Sequence, residues 1–316
     1  VETCLSQFES LATPGPLAIP WTSHFPGEER IKTHLVLGFI THGNEWGTLP
    51  AALRVLAELK TGHLKSAGPI TFLLGNPRAT RKNVRFVDED FNRVFSFERP
   101  ADNGERQRAE EVRPLLDSAD IFLDFHQTQT PTESPFWTFP WDEAHAHWAQ
   151  IIAAAPLGLT RPPGGVFSKG KCCLDEYVRN RGKIGLTAEV GTKGADKVQE
   201  ELTYQSIVRL LSALERIEVE NCSLQELAEV APPVQWYQTA EVVAARTKDD
   251  RLRDGLGNWS SVDQGEILSA PGGPLLRASQ SGKILFPKYP QPGEPLAPEL
   301  FRLGTPLENP SEFFEK

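Results

Sequence analysis

The residues of this chain best suited to chemistry fall in four short polar segments. In the first, His42-Gly-Asn-Glu45, an imidazole and a carboxylate stand three residues apart. If the chain enters a helix after Ile40, the two side chains project from the same side and can ligate one cation. The second, Asp124-Phe-His126, puts an acid and an imidazole on one side of an extended segment, because side chains alternate along a strand. Together His42, Glu45 and His126 would form the His₂Glu ligand set of a catalytic zinc site, one ion per chain, with a fourth position open to water. An H-x-x-E pair alone is common, and a lone histidine after a strand is more often hydrogen-bonded structure, so spacing leaves both readings open.

The third segment runs from Gly75-Asn-Pro-Arg78 to Asp90-Phe-Asn92-Arg93 and carries five basic residues in sixteen positions, Arg78, Arg81, Lys82, Arg85 and Arg93. Arginine grips a carboxylate with two parallel hydrogen bonds and can polarise a carbonyl oxygen. The plainer reading is a solvated loop whose arginines pair with Asp88 and Asp90. The fourth segment is Ala188-Glu189-Val-Gly191. A carboxylate there, partly desolvated and facing an activated water, has the basicity of a general base. Its alternative is an ion pair with Arg179 or Arg181, which could themselves belong to a substrate clamp.

Positioning these segments requires a framework, and the apolar pattern supplies one. Continuous apolar runs predict buried strands at Leu35–Ile40, Ile70–Leu74, Ile121–Phe125 and Ile184–Val190. Helical spacing predicts helices at Pro50–Lys60, ending at Gly62, and at Glu105–Leu116, Ala144–Ala155 and Lys197–Glu220. Strands alternating with helices mean an α/β fold with a mainly parallel sheet, whose ligands bind beyond the carboxyl ends of the strands. All four polar segments sit at such ends. The last third differs: eleven of the 26 prolines fall within 231–316, and the apolar runs shorten. This predicts a catalytic domain over 1–222 and a smaller β-rich domain over 223–316.

Composition narrows the function classes. At 316 residues, 39% hydrophobic and 24% charged, the chain is ordinary for a globular protein. A net charge of −9 argues against nucleic acid or an anionic membrane as partner, so an anionic ligand must be met by a local basic cluster. Four irregularly spaced cysteines predict neither a disulfide framework nor a cysteine zinc site, and no apolar run approaches membrane-spanning length. With no signal-peptide pattern at the first residues, a cytoplasmic setting is expected. Gly165–Cys172 nearly matches a phosphate-binding loop, but Cys172 replaces the hydroxyl residue and no strand precedes it. No G-x-S-x-G elbow occurs. His145 and His147, two apart on a predicted helix, read as a solvated face, and Phe136–Trp141 as aromatic packing.

In their order, His42-Gly-Asn-Glu45, Asn76-Pro-Arg78 with Arg85 and Asp90-Phe-Asn92-Arg93, Asp124-Phe-His126 and Glu189-Val-Gly191 resemble the succinylglutamate desuccinylase/aspartoacylase family of zinc amidohydrolases. The resemblance covers about residues 35–195, with Phe91 and Phe125 where leucine is usual. It implies a zinc-carboxypeptidase-like fold, zinc on His42, Glu45 and His126, and Glu189 as general base and acid. Arg85 would polarise the scissile carbonyl. Asn92, Arg93 and Arg179 would hold carboxylates of a small anionic N-acyl amino acid, and a tyrosine from the C-terminal domain, for which Tyr289 is the candidate, would reach the substrate channel. A carboxypeptidase acting on small peptides and a non-catalytic binding protein with a relic site are the other classes open. The oligomeric state is open too, a homo-oligomer included.

Overall fold

The four expected strands form the parallel centre of one sheet. In this computed structural model, which describes residues 1–161, 167, 170–247, 249–289 and 299–311, they are β2 (Leu35–Phe39), β3 (Ile70–Leu74), β4 (Ile121–Thr128) and β7 (Ile184–Thr192). β4 runs on past its apolar run, so that the polar residue His126 is still a strand residue, and Glu189 lies in β7 as the expected strand Ile184–Val190 had it. Short strands missed by the apolar pattern complete the sheet: β1 (Thr22–Phe25), β5 (Phe136–Thr138) and β6 (Leu157–Thr160). From the last third come β8 (Gln235–Val243), β9 (Ser261–Val262), β10 (Gly282–Leu285) and β11 (Phe301–Pro306). The spatial order of the eleven strands is β1-β3-β2-β4-β7-β5-β6-β8-β11-β10-β9. β3, β2, β4 and β7 are mutually parallel, β5 enters antiparallel to β7, and β8 joins β6 in parallel. The sheet therefore continues unbroken through the stretch where composition changes.

Alternation along the strands builds two cores. Leu35, Leu37 and Phe39 point to one face, where they pack with α1 (Glu2–Leu11), α2 (Leu49–Thr61), α5 (Glu143–Ile152), α7 (Lys197–Glu218) and α8 (Leu224–Glu229). Val36, Leu73 and Phe122 point to the other, under α4 (Gly104–Ser118) and α6 (Leu174–Arg179). The remaining short helix, α3 (Pro77–Lys82), follows β3. A separate apolar cluster around Leu268, Ile284 and Leu303 belongs to the C-terminal strands. α2 stops at Gly62, whose φ of 76° suits the left-handed cap that glycine tolerates. α1 was hidden by the prolines beginning at Pro14, which lie just after it rather than inside it.

One reading needs correcting. His145 is buried rather than solvated: its Nδ1 lies 2.8 Å from Asp142, and its Nε2 accepts the Gly185 N–H at 3.1 Å. Phe136–Trp141 packs as expected, Phe136 on Trp259 and Phe139 on Trp236, and its first three residues form β5, a buried strand between β7 and β6. In the loop-like segment Gly165–Cys172, residues 165, 166, 168 and 169 lie outside the described residues. Among the described residues no helix is long and apolar enough to cross a membrane.

Candidate active site

β2 ends at Phe39 because Ile40 turns into the left-handed region with φ of 47°, a conformation that β-branched residues rarely adopt. The turn throws Thr41–Glu45 across the end of the sheet. The expected helix does not begin here. Glu45 N–H instead closes a turn onto the His42 carbonyl at 3.0 Å, and regular helical geometry starts only with the 3₁₀ turn Trp46–Thr48 ahead of α2. Gly43 allows the loop to lie on α3: a Cβ there would stand 2.3 Å from the Ala79 carbonyl carbon. Its N–H donates to the Arg85 carbonyl at 3.0 Å, tying the loop to the basic segment.

The three expected ligands meet. His42 Nδ1 and His126 Nδ1 lie 2.9 Å from Glu45 Oε1 and Oε2 respectively, and 3.2 Å from each other. All three residues are buried, and their donor atoms fall within 4.8 Å of one another. Each histidine is also held from behind. His126 Nε2 faces Asp124 at 2.8 Å and His42 Nε2 faces Asp90 at 3.1 Å. A carboxylate accepts, so Nε2 carries a hydrogen in both rings, and in the neutral rings both Nδ1 lone pairs then point inward. Two such lone pairs and a carboxylate turned toward one point repel unless a positive charge lies between them. The donor set thus fits a small dication bound by nitrogen and oxygen.

The electrostatics agree. Burial would lower the His126 pKa, yet the Asp124 and Glu45 carboxylates outweigh it and raise it well above its usual value. Burial would raise Glu45, but His42 and His126 pull it well below the ordinary carboxylate range. Asp90, against the same burial cost, is lowered by Arg85 and His42.

Glu189 lies beside this cluster because the parallel register of β4 and β7 pairs its Cα with that of His126. It is 9% exposed, and its Oε2 has no hydrogen-bond partner. Burial pushes its carboxyl up to about 7, moderated by His126. Arg85 spans the site, with Nη1 3.2 Å from Glu45 Oε1 and Nη2 3.2 Å from Asp90. The rest of the basic segment divides as the plain reading anticipated, for Arg78 pairs with Asp88 at 2.6 Å and Arg81 with Glu2 at 3.5 Å, both at the surface.

The expected substrate residues are placed less uniformly. Asn92 is buried, its Oδ1 accepting the Leu174 N–H at 3.0 Å at the start of α6. Arg93 Nη1 donates to the Asn92 carbonyl at 2.6 Å and to Cys173 Sγ at 3.1 Å, while its remaining guanidinium nitrogens have no partner among the described residues. Arg179 is not brought to the cluster. It is fixed to Asp175 at 2.5 Å and to the Gly185 carbonyl at 2.9 Å, and Gly185 lies about 13 Å upstream of Glu189 along the strand. Tyr289 also turns elsewhere, its hydroxyl 2.7 Å from the Leu256 carbonyl in the loop between β8 and β9. Sequence reasoning missed Gln129, whose Nε2 donates to Glu45 Oε1 at 2.8 Å, and no spacing signal marks it. The backing role of Asp124 was readable from its two-residue offset to His126 on a strand.

Residues 32–218 match the family described as succinylglutamate desuccinylase/aspartoacylase catalytic domain. A succinylglutamate desuccinylase of Pseudomonas paraeruginosa is 34% identical over 274 residues, 80% of this chain and 79% of that one. Among solved structures, succinylglutamate desuccinylase from Vibrio cholerae superposes with a TM-score of 0.70 at 16% identity, covering 95% of this chain and 94% of that one. Murine aminoacylase 3 superposes with 0.63 at 17% identity, over 87% and 96%.

Proposed function

Because the chain belongs to the succinylglutamate desuccinylase/aspartoacylase family, we propose that it is a zinc-dependent hydrolase that cleaves the amide bond of an acidic N-acyl amino acid. The observation that carries this reading is the convergence of two imidazole Nδ1 atoms and Glu45 beside an unpartnered, buried Glu189 oxygen.

Zinc on His42, Glu45 and His126 would supply Lewis acidity at the scissile carbonyl and lower the pKa of a water to about 7. The protein's own residues do the rest. Glu189, made basic by burial, takes a proton from the attacking water and later hands it to the departing amine. Arg85, poised 3.2 Å from Glu45, hydrogen-bonds the carbonyl oxygen as it gains charge. Arg93 offers its free guanidinium edge to a substrate carboxylate, and Asn92 positions it by anchoring α6. Arg179 and Tyr289, committed to other partners, take no part. In this reading residues 223–316, joined to the catalytic part through the shared sheet, wall the substrate channel, and the four free cysteines fit a cytoplasmic setting.

Glu189→Gln tests the scheme. The variant should keep stoichiometric metal while turnover of N-acetyl, N-succinyl and longer N-acyl amino acids falls by roughly 10²–10⁴-fold. Undiminished turnover would remove Glu189 from the mechanism, and cleavage of small peptides in preference to N-acyl amino acids would move the substrate class.

A further inference from the structure

Glu105, in the first turn of α4, is 1% exposed and touches none of the metal-cluster residues, yet its carboxylate collects donors from two other segments. Oε1 accepts the Val87 N–H at 2.8 Å and a hydrogen of Asn76 Nδ2 at 3.2 Å, and Oε2 accepts the Asp88 N–H at 3.1 Å. Burying a carboxylate is costly unless donors surround it, so one that stays buried fixes the relative placement of the segments that supply them.

Both segments lead to the site. Val87 and Asp88 lie in the stretch bracketed by Arg85 and Asp90, and the rest of the first turn of α4 grips the same stretch. Asp88 accepts the Gly104 N–H at 3.1 Å, and Glu89 receives Arg106 Nε and Nη2, both at 2.8 Å. The ends of the bracket meet, Arg85 Nη2 lying 3.2 Å from Asp90, and from there Arg85 reaches Glu45 and Asp90 reaches His42. Asn76 opens the second route. Its N–H donates to the Ile40 carbonyl at 3.0 Å, at the turn before Thr41–Glu45, and its Oδ1 caps α3 by accepting the Ala79 N–H at 3.1 Å. Gly43 rests on that end of α3, with His42 before it and Glu45 two residues after.

We propose that Glu105 is a positioning residue: from outside the metal cluster it sets the spacing between Arg85 and the loop that carries His42 and Glu45. This rests on the deacylase reading and adds to it what holds Arg85 in place for the carbonyl oxygen. A carboxylate accepts at both oxygens, whereas a glutamine amide, turned either way, sets its NH₂ against at least one of the three donors.

Glu105→Gln tests the assignment, with Leu116→Ala as control, because Leu116 packs the same helix and meets none of the three donors. In Glu105→Gln, hydrogen exchange over residues 85–90, read by mass spectrometry, should quicken about tenfold while β2 and β4 keep their rates. Zinc affinity, read by chelator competition, should fall about tenfold. On N-acyl amino acids kcat of the zinc-saturated enzyme should fall about 10–100-fold with KM nearly constant, since Arg85 acts on charge that appears in the transition state. Leu116→Ala should lower Tm and show none of the three changes. Unchanged exchange over 85–90, an unchanged kcat, a loss confined to KM, or the same losses in Leu116→Ala would overturn the proposal. If Glu105→Gln does not fold, Glu89→Gln, in the less buried part of the same grip, takes its place. It should lower kcat about threefold at constant KM, and an unchanged kcat there would overturn the proposal too. Exchange and zinc affinity are read without turnover, so a parent protein inactive on N-acyl amino acids would count against the reaction, and the clamp would still be decided by those two measurements.

Discussion

Asp90 and Asp124 each receive an Nε2–H and thereby fix which nitrogen of His42 and His126 faces inward. Replacing Asp124 by Asn keeps the shape but removes the charge, and should weaken metal affinity by about 10–100-fold, read by competition with a chromogenic chelator. An unchanged affinity would make the contact incidental. Glu189 gives a pH prediction with a definite sign. Burial raises its pKa from 4.5 to about 7. The metal-free protein therefore binds this proton more tightly than its unfolded chain does, and loses stability as pH rises from 4.5 through 7. That loss is on the order of 3 kcal/mol once complete. Glu189→Gln should accordingly raise the Tm of metal-free protein at pH 8 relative to the parent and leave it nearly unchanged at pH 4.5. Equal shifts at both values would show that the carboxyl is not destabilised by burial. At this scale the ligand types were legible in the sequence, since His42, Glu45 and His126 carry the right donors. Gln129 was not, because nothing in its neighbours distinguishes it from a surface glutamine.

Between elements, the decisive features are turns. A helical approach to Glu45 was a fair expectation from H-x-x-E spacing, but Ile40 reverses the chain and Gly43 seats the loop on α3, and the same pair of side chains meets through a turn. A comparable junction joins the C-terminal strands to the catalytic ones. Asn258, fully buried, donates from Nδ2 to Thr130 Oγ1 at 3.1 Å and to the Pro131 carbonyl at 3.2 Å, while accepting from Phe286 N–H. Asn258→Ala leaves those groups unpaired and should cost about 3 kcal/mol in denaturant unfolding. A loss below 0.5 kcal/mol, about the size of an ordinary surface substitution, would show that water replaces the contacts. The segment around Asn258 reads in the sequence only as a turn, because its partners Thr130 and Pro131 lie more than 120 residues away.

For the whole molecule, metal and fold should be linked. Any ion that binds the folded cluster and not the unfolded chain stabilises by about 2.7 kcal/mol at one hundred times its Kd. Chelation should therefore lower Tm, and added zinc should restore it in a concentration-dependent way; a Tm indifferent to both would place no ion at His42, Glu45 and His126. The sequence alone determined the α/β class, the strands and helices of the centre and the identities of the ligand-bearing segments, because each depends on local periodicity and side-chain chemistry. Only the tertiary structure decided that β5 and β8 extend one sheet and that Arg179 and Tyr289 face away. Those outcomes depend on strand register and on packing between residues far apart in the chain, and neither leaves a mark in local composition.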